Sequence, residues 1–263
     1  MSSEAVLFEQ VGRVAVLTMN RPENRNANST PEMVNALCQA IDRINLDSGI
    51  HAAILTGTGT AYSSGGEAKL MSEFTNWNPV EVRHYYVHHG IQKLSRAMYR
   101  LEVPVIAAVN GPAYGSGCGS AMMCDIRIAS TKARFALNFA KLGLMAGDGG
   151  TYFLTRIVGP EKAAEMIFTG DPINADEALK CGLVSRVVTP EKLMAEAMAL
   201  AERIAVNSGT ALRMAKRLLR EASQAAFDSF LELTVSLQAM GHNTEEHRLA
   251  LGKFLQSLNK TGG

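Results

Sequence analysis

The spacing of apolar positions predicts an alternation of short strands and helices over most of the chain. Residues 5–10 and Val14–Met19 are rich in apolar and β-branched side chains, and the Val11-Gly12-Arg13 turn between them predicts a hairpin. A helix follows from Pro31: Ser29 and Glu32 fit a capping box, and Met33, Leu37, Ile41 and Ile44 mark one apolar face. Residues 51–56 read as a strand, residues 79–101 as a helix, and the unbroken apolar run 104–110 as a strand buried on both faces. Further strands are expected at 126–129 and 183–188, with helices at 160–168 and 174–180, the second opened by an Asn174/Glu177 cap pair. Such alternation predicts an α/β core of βαβ units.

Beyond Thr189-Pro190 the pattern turns almost wholly helical to Leu258, broken at Asn207-Ser208-Gly209 and Gly241-His242-Asn243. Phe230, Leu233, Leu237 and Met240 recur at helical spacing, a stripe that predicts packing on the core or on another subunit.

Composition narrows the function classes. With 47% hydrophobic and 19% charged residues over 263 positions, a sizeable core is affordable. A net charge of +1 without a run of one sign argues against a nucleic-acid-binding stripe. The four cysteines form no Cys-x-x-Cys pair and read as buried hydrophobes in a reducing, cytoplasmic setting. No signal-like start and no apolar run near the ~20 residues of a membrane span are present. The histidines show no metal-ligand spacing, so no metal is expected.

Candidate chemistry lies in two glycine-rich turns, each after a predicted buried strand. The first runs from Gly57 to Glu67 through Gly65-Gly66; the second is Gly111-Pro-Ala-Tyr-Gly115-Ser116-Gly117-Cys118-Gly119. Loops at the carboxyl ends of strands are where α/β folds bind ligands, and small residues let a ligand approach the backbone. A helix start adds free N–H groups and a dipole that favours negative charge. Two N–H groups aimed at one oxygen make an oxyanion hole. Taken singly, such glycines are ordinary turn-formers. A dinucleotide fingerprint fails, because the helix after Gly119 is too short and no acidic residue follows at about 20 positions. Neither turn ends as a P-loop does.

Together these segments resemble the crotonase superfamily, the enoyl-CoA hydratase/isomerase family. The resemblance is carried by Arg21-Pro-Glu-Asn-Arg-Asn26-Ala27, Ala53-Ile-Leu-Thr-Gly57, the run 104–111 with its glycines, and Cys124-Asp125-Ile-Arg-Ile-Ala129. It continues through Leu142-Gly143-Leu144, Gly149-Gly150-Thr151, Ala175-x-x-Ala178 and Gly182-Leu183-Val184, in the family's order over essentially the whole chain. It implies a spiral of ββα units in residues 1–205 and a helical C-terminal trimerisation region in 206–263, assembled as a homotrimer or a dimer of trimers. It further implies an acyl-CoA thioester substrate, with coenzyme A as part of the substrate and no separate cofactor. The backbone N–H groups of Gly66 and Ser116 are the implied oxyanion donors. Coenzyme A is expected along Asn24, Arg25, Ala27, Gly65, Glu67 and Ala68, with Phe254 near the adenine of a neighbouring subunit.

The sequence departs from the hydratase pattern where it matters for protons. The family's hydratases carry two glutamates, at the positions that are Gly119 and Phe139 here. Neither residue can take or give a proton, so two-glutamate hydration is not expected. Asp148, in Met145-Ala-Gly-Asp148-Gly-Gly-Thr151, is the substitute carboxylate, and its other reading is a helix N-cap. Glu67 reads as a loop carboxylate, His88 and His89 as helix-surface histidines, Tyr114 as a hydroxyl donor or a packing residue, and Asp125 as structural. Met71, Phe74, Trp77 and Phe139 are the side chains on which acyl-pocket size depends. The expected activity is that of an acyl-CoA lyase or isomerase with Asp148 as acid/base. The rival readings are a hydrolase or C–C-cleaving enzyme using Asp148, and a CoA-binding pseudo-enzyme.

Overall fold

In the computed structural model, which describes residues 4–261, the fold is a mixed α/β core followed by helices. Residues 1–3 and 262–263, at the outer ends of the two expected regions, lie outside the description. The main sheet has the order β1-β2-β3-β4-β6-β9, formed by Val6–Val11, Val14–Met19, Ala52–Gly57, Val105–Val109, Ile126–Ser130 and Arg186–Val188. Only β1 and β2 pair antiparallel, across the predicted hairpin; the remaining neighbours run parallel. A small second sheet joins β5 (Pro112–Tyr114), β7 (Arg134–Ala136) and β8 (Ile173–Asn174). An isolated parallel bridge from Ser63 to Ala113 adds the first glycine turn to its edge.

Each turn of the spiral therefore places one strand in each sheet and then a helix. β4, β5 and α5 (Ser116–Met123) make one such ββα unit; β3, the Ser63 bridge and α2 (Ala68–Glu73) make another. This is the crotonase architecture that the sequence resemblance implies. The local pattern missed β5, β7 and β8 because two- and three-residue strands carry too little periodicity to register; their pairing partners lie far away in sequence.

The main sheet is covered on both faces, which is why its central strands β3 and β4 are buried along almost their whole length. On β3, Ala52 and Ile54 face α9 (Leu193–Ala205), where Ala197, Ala201 and Ala205 form a small-residue stripe that lets helix and sheet approach closely. Ala53 and Leu55 belong to the opposite layer, with α1 (Pro31–Leu46) and α4 (Ile91–Arg100). Met33, Leu37, Ile41 and Ile44 of α1 are all buried, as the helical spacing predicts.

Several boundaries differ from the sequence expectation. The N-cap of α1 is Thr30, whose side chain accepts from Met33 N; Ser29 instead accepts from Glu67 N, so a tertiary contact removed it from the helix end. The helix expected at 79–101 is two helices, α3 (Pro79–His88) and α4, parted at His89-Gly90 where Tyr85 packs against the glycine. Of the strand expected at 183–188, only the last three residues pair. The Asn174/Glu177 capping box is present on α8 (Ala175–Lys180), which follows α6 (Gly150–Val158) and α7 (Pro160–Thr169).

After α9 come α10 (Gly209–Glu221), α11 (Phe227–His242) and α12 (Glu245–Thr261); a break at 222–226 was not foreseen, and α11 runs through Gly241-His242 before stopping. The α10 helix docks largely through cations on carbonyl oxygens. Arg213 donates to Ile44 O and Asp47 O at the carboxyl end of α1, and Arg220 to Tyr99 O and Leu101 O at the end of α4. Those carbonyls are the groups a helix leaves unpaired, and the negative end of its dipole favours a cation there. Between them Lys216, 4% exposed, reaches Val103 O at 2.7 Å and Asp125 Oδ2 at 2.7 Å. Asp125 also accepts from Val105 N, which fixes it as a structural residue at the junction of β4 and β6.

The stripe on α11 is only partly covered within one chain: Leu237 is buried, Phe230 and Leu233 are half-buried, and Met240 is exposed. Among the described residues, no helix is long and apolar enough to cross a membrane.

The Lys216–Asp125 pair yields an expected outcome. Asp125→Ala strands a buried ammonium and is expected to cost about 3–5 kcal/mol, whereas Lys216→Met leaves a half-exposed carboxylate with its Val105 partner and costs distinctly less. Urea denaturation of both variants measures the difference; equal losses would contradict the assignment.

Candidate active site

Because β3 and β4 are parallel neighbours, both glycine turns leave the same edge of the main sheet and meet. Gly65, at φ 82°, lies with its α-carbon against the second turn. A Cβ there would collide with the Tyr114 carbonyl oxygen and stand 2.9 Å from Ser116 N. From the other side, a Cβ on Gly117 would lie 2.7 Å from Ser63 Cβ. The two backbones can touch only because both positions are glycine.

Asn28, fully buried, fastens this junction. Its backbone N–H donates to Gly65 O at 3.0 Å, its side-chain amide donates to Ser116 O at 3.0 Å and Ser120 Oγ at 3.1 Å, and its Oδ1 accepts from Ser116 Oγ at 2.7 Å. Asn26 does similar work on the first turn: its amide donates to Thr58 O and Ala61 O, while its carbonyl accepts from Ser63 Oγ. Arg25 and Asn26 hold left-handed backbone, φ 55° and 57°, to bring this segment around. Sequence reasoning named Asn24–Ala27 but passed over Asn28. A loop asparagine carries no local sign of burial, and only its alternation with Asn24 and Asn26 hinted at a shared task.

With the turns so fixed, the N–H groups of Gly66 and Ser116 have no acceptor among the described residues. Ser116 is the first residue of α5, so its N–H is one of those a helix cannot satisfy internally. Both residues line a single cavity of about 970 Å³, and Asp148 and Phe139 line it too.

Asp148 sits between the turn Asn138–Leu142 and α6, 2% exposed. Gln92 Nε2 donates to Gly147 O and Ser95 Oγ to Asp148 O at 2.7 Å, so α4 fixes the backbone beneath the carboxylate. One carboxylate oxygen, Oδ1, accepts from Gly150 N at 2.8 Å; Oδ2 has no partner among the described residues. The N-cap position of α6 is Gly149, so Asp148 ties the first helical turn from one residue further out. Burial pushes its pKa up from the ordinary 3.8 to about 6, with the Gly150 hydrogen bond opposing.

The position of Oδ2 carries the most information. A Cβ built on Gly119 would collide with it, and would lie 3.0 Å from the Asp148 carboxyl carbon. The carboxylate from the 148 loop therefore fills the space into which a side chain at 119 would project. Glycine at 119 and aspartate at 148 are two halves of one arrangement.

The remaining predicted residues are placed as follows. Asn24 and Arg25 run beside the first turn, since Ser64 Oγ donates to Asn24 O and Ser64 N to Arg25 O. Ala27 is buried, and Ala68 opens α2 on the surface. None of Asn24, Arg25, Ala27, Gly65, Glu67 or Ala68 lines the cavity shared by Gly66, Ser116 and Asp148. Phe254 lies on α12, 58% exposed, and does not line it either. His88 and His89 are exposed beside His84 and stand outside the lining, as does Tyr114. Met71, Phe74 and Trp77 do line the cavity. Among the described residues, no group of three or more His, Cys, Asp or Glu side chains is placed to hold a metal ion.

Comparison with known proteins agrees with this architecture. The family profile described as Enoyl-CoA hydratase/isomerase matches residues 9–260. The short-chain-enoyl-CoA hydratase of Clostridium acetobutylicum is 38% identical over 97% of this chain and 96% of its own length. The crotonyl-CoA hydratase of Syntrophomonas wolfei is 35% identical over the same shares. The crystal structure of an enoyl-CoA hydratase from Bacillus anthracis superposes with a TM-score of 0.89 at 30% identity, covering 96% of each chain. With a profile match over nearly its full length and the same fold, the chain belongs to the enoyl-CoA hydratase/isomerase family of the crotonase superfamily.

Proposed function

We propose that this protein is an acyl-CoA isomerase or lyase that stabilises a thioester enolate between the N–H groups of Gly66 and Ser116 and moves the proton with Asp148. The observation that carries the reading is the exchange of carboxylates: Asp148 Oδ2 occupies the space over Gly119, in the same cavity as both N–H groups. The names of the relatives point to hydration, and the residues at Gly119 and Phe139 are what separate this chain from a two-glutamate hydratase.

The chemistry follows from the charges. A thioester carbonyl set on the two N–H groups gains negative charge as a proton leaves Cα or Cγ, and each donor supplies about 3–4 kcal/mol in the transition state. Asp148 accepts that proton on Oδ2 and returns it to the other carbon, so the double bond shifts and the carboxylate is regenerated. One base suffices for such a transfer, with no water consumed. A pKa near 6 leaves the carboxylate ionised at neutral pH yet basic enough to take the proton. In this reading the coenzyme A moiety runs along Asn24–Ala27 and Gly65–Ala68, outside the acyl cavity.

The same reading includes a homotrimer or a dimer of trimers, in which Phe254 stands at a neighbour's adenine. Its support is the exposure of Phe227, Leu231, Val235, Met240, Leu249 and Phe254 on α11 and α12, more apolar surface than a lone chain leaves in water.

Four outcomes are expected. Incubated with a panel of 3-enoyl-CoA thioesters, the protein yields 2-enoyl isomers with no gain of the mass of water. A hydroxyacyl product, a free acid or binding without turnover would each overturn the assignment. Asp148→Asn lowers kcat by about 10²–10⁴-fold, and wild-type kcat/KM rises with pH through a limb near 6. Because the folded pKa lies above the unfolded one, wild type is expected to lose about 3 kcal/mol relative to Asp148→Asn as pH rises from near 4 to above 6. Thermal melts across that range read it, and a difference independent of pH contradicts the buried-carboxyl assignment. Sedimentation is expected to show a trimer or hexamer, and a monomer at micromolar concentration would remove the proposed assembly.

A further inference from the structure

The wall of the cavity beyond Asp148 is built of aromatic rings. Phe74, just after α2, lies 5.1 Å from Trp77, 5.2 Å from Tyr85 and 5.6 Å from Tyr86 between ring centroids, and Trp77 and Tyr85 are 5.5 Å apart. The rings meet at 46–71°, the tilted and edge-to-face geometries that aromatic pairs prefer. Four rings so interlocked hold one another in place. They are fixed at the start of α3 by an Asn78/Glu81 capping box with Pro79 behind it.

Two further facts tie this cluster to the reacting end of the cavity. Tyr86 borders the carboxylate loop: a Cβ on Gly147 would lie 3.4 Å from its ring, and burial raises its phenol pKa, with the neighbouring Asp148 charge adding to the rise. Yet no residue of α3 is fully buried, although Val82, Tyr85, Tyr86 and Val87 all line the cavity. The apolar side of α3 therefore borders the cavity, with Tyr86 also packed against the core. Leu144 and Met145, 49% and 84% exposed, line the cavity as well, with Phe139.

We infer that the acyl group bound here carries a ring, an aryl or similar flat cyclic substituent at the end remote from the thioester. The inference rests on the acyl-CoA reading of the site and adds the substrate class to it. An acyl chain of crotonyl size has three carbons beyond the carbonyl, too few to cover four rings as well as the groups around the reacting carbons. A straight chain long enough to reach the wall covers it without the edge-to-face contacts that the four rings offer. A flat ring makes those contacts in addition to burying its area, which is the basis for discrimination between ligands of equal carbon count. Arg83 and Arg96, the only cations on the lining among the described residues, are exposed, so the wall's polar groups are the phenol hydroxyls of Tyr85 and Tyr86 and the indole N–H of Trp77.

Trp77 is the sole tryptophan of the sequence and lies in this wall, so its fluorescence reports occupancy directly. Non-reactive coenzyme A thioethers are the probes: a short alkyl, a phenylalkyl, and a straight alkyl with the same carbon count as the phenylalkyl. The phenylalkyl thioether is expected to bind about tenfold more tightly than the carbon-matched straight chain. Phe74→Leu, read by the same fluorescence, and Trp77→Leu, read by calorimetry, are expected to bring that ratio to about one. Equal binding of the two larger thioethers in wild type, or a ratio untouched by both variants, overturns the ring assignment and leaves the acyl-CoA reading standing. Failure of all three thioethers to bind overturns both, and is distinguished by that breadth.

Discussion

The contact on which the site depends is the backbone-to-backbone approach of the two glycine turns, locked by the buried side chain of Asn28. Gly65 and Gly117 bring the main chains closer than any Cβ would allow, and Asn28 satisfies the Gly65 and Ser116 carbonyls that this approach buries. Buried polar groups almost always need partners, so without the asparagine side chain the junction would lose the bonds to Ser116 O, Ser116 Oγ and Ser120 Oγ, at a cost of about 1–3 kcal/mol for each group left unpaired. The N–H groups of Gly66 and Ser116 are left without an acceptor among the described residues. Donors fixed in this way need no reorganisation when charge develops in front of them.

The carboxylate obeys a complementary constraint, one of volume. The space over α5 at Gly119 holds a single acidic side chain, and here it arrives from the 148 loop rather than from the helix. Gln92 and Ser95 of α4 hold the loop backbone, and Gly150 takes one carboxylate oxygen, leaving Oδ2 without a partner. An unpaired oxygen in a buried carboxyl group is what raises its proton affinity. The same burial that weakens the fold at neutral pH places the group in the range useful for proton transfer.

The helices after α9 obey different rules. The inner one, α10, is held by arginine and lysine side chains on the carbonyl ends of α1 and α4, a docking that uses dipoles and specific hydrogen bonds more than area. His51 adds to this by reaching the Ala205 and Asn207 carbonyls, with its ring against Gly209. The outer pair, α11 and α12, instead leaves large side chains such as Phe227 and Phe254 exposed on a single chain.

By itself the sequence determined the layered α/β architecture and the identity of the main elements. The buried strands at β3 and β4, the apolar face of α1 and the Asn174/Glu177 cap are all written in local periodicity and capping chemistry. The glycine turns were legible as ligand loops because they follow buried strands, and the motif order pointed to the family. What only the tertiary structure decided is how those pieces meet. Short strands β5, β7 and β8, the split of 79–101 at Gly90, and the transfer of Ser29 from helix cap to Glu67 all arise from contacts between distant segments. So do the burial of Asn28 and the collision of Asp148 with the side-chain space of Gly119, a pair 29 residues apart in sequence. Periodicity reports which face of an element is buried; it holds no record of which distant atom fills the space beside it.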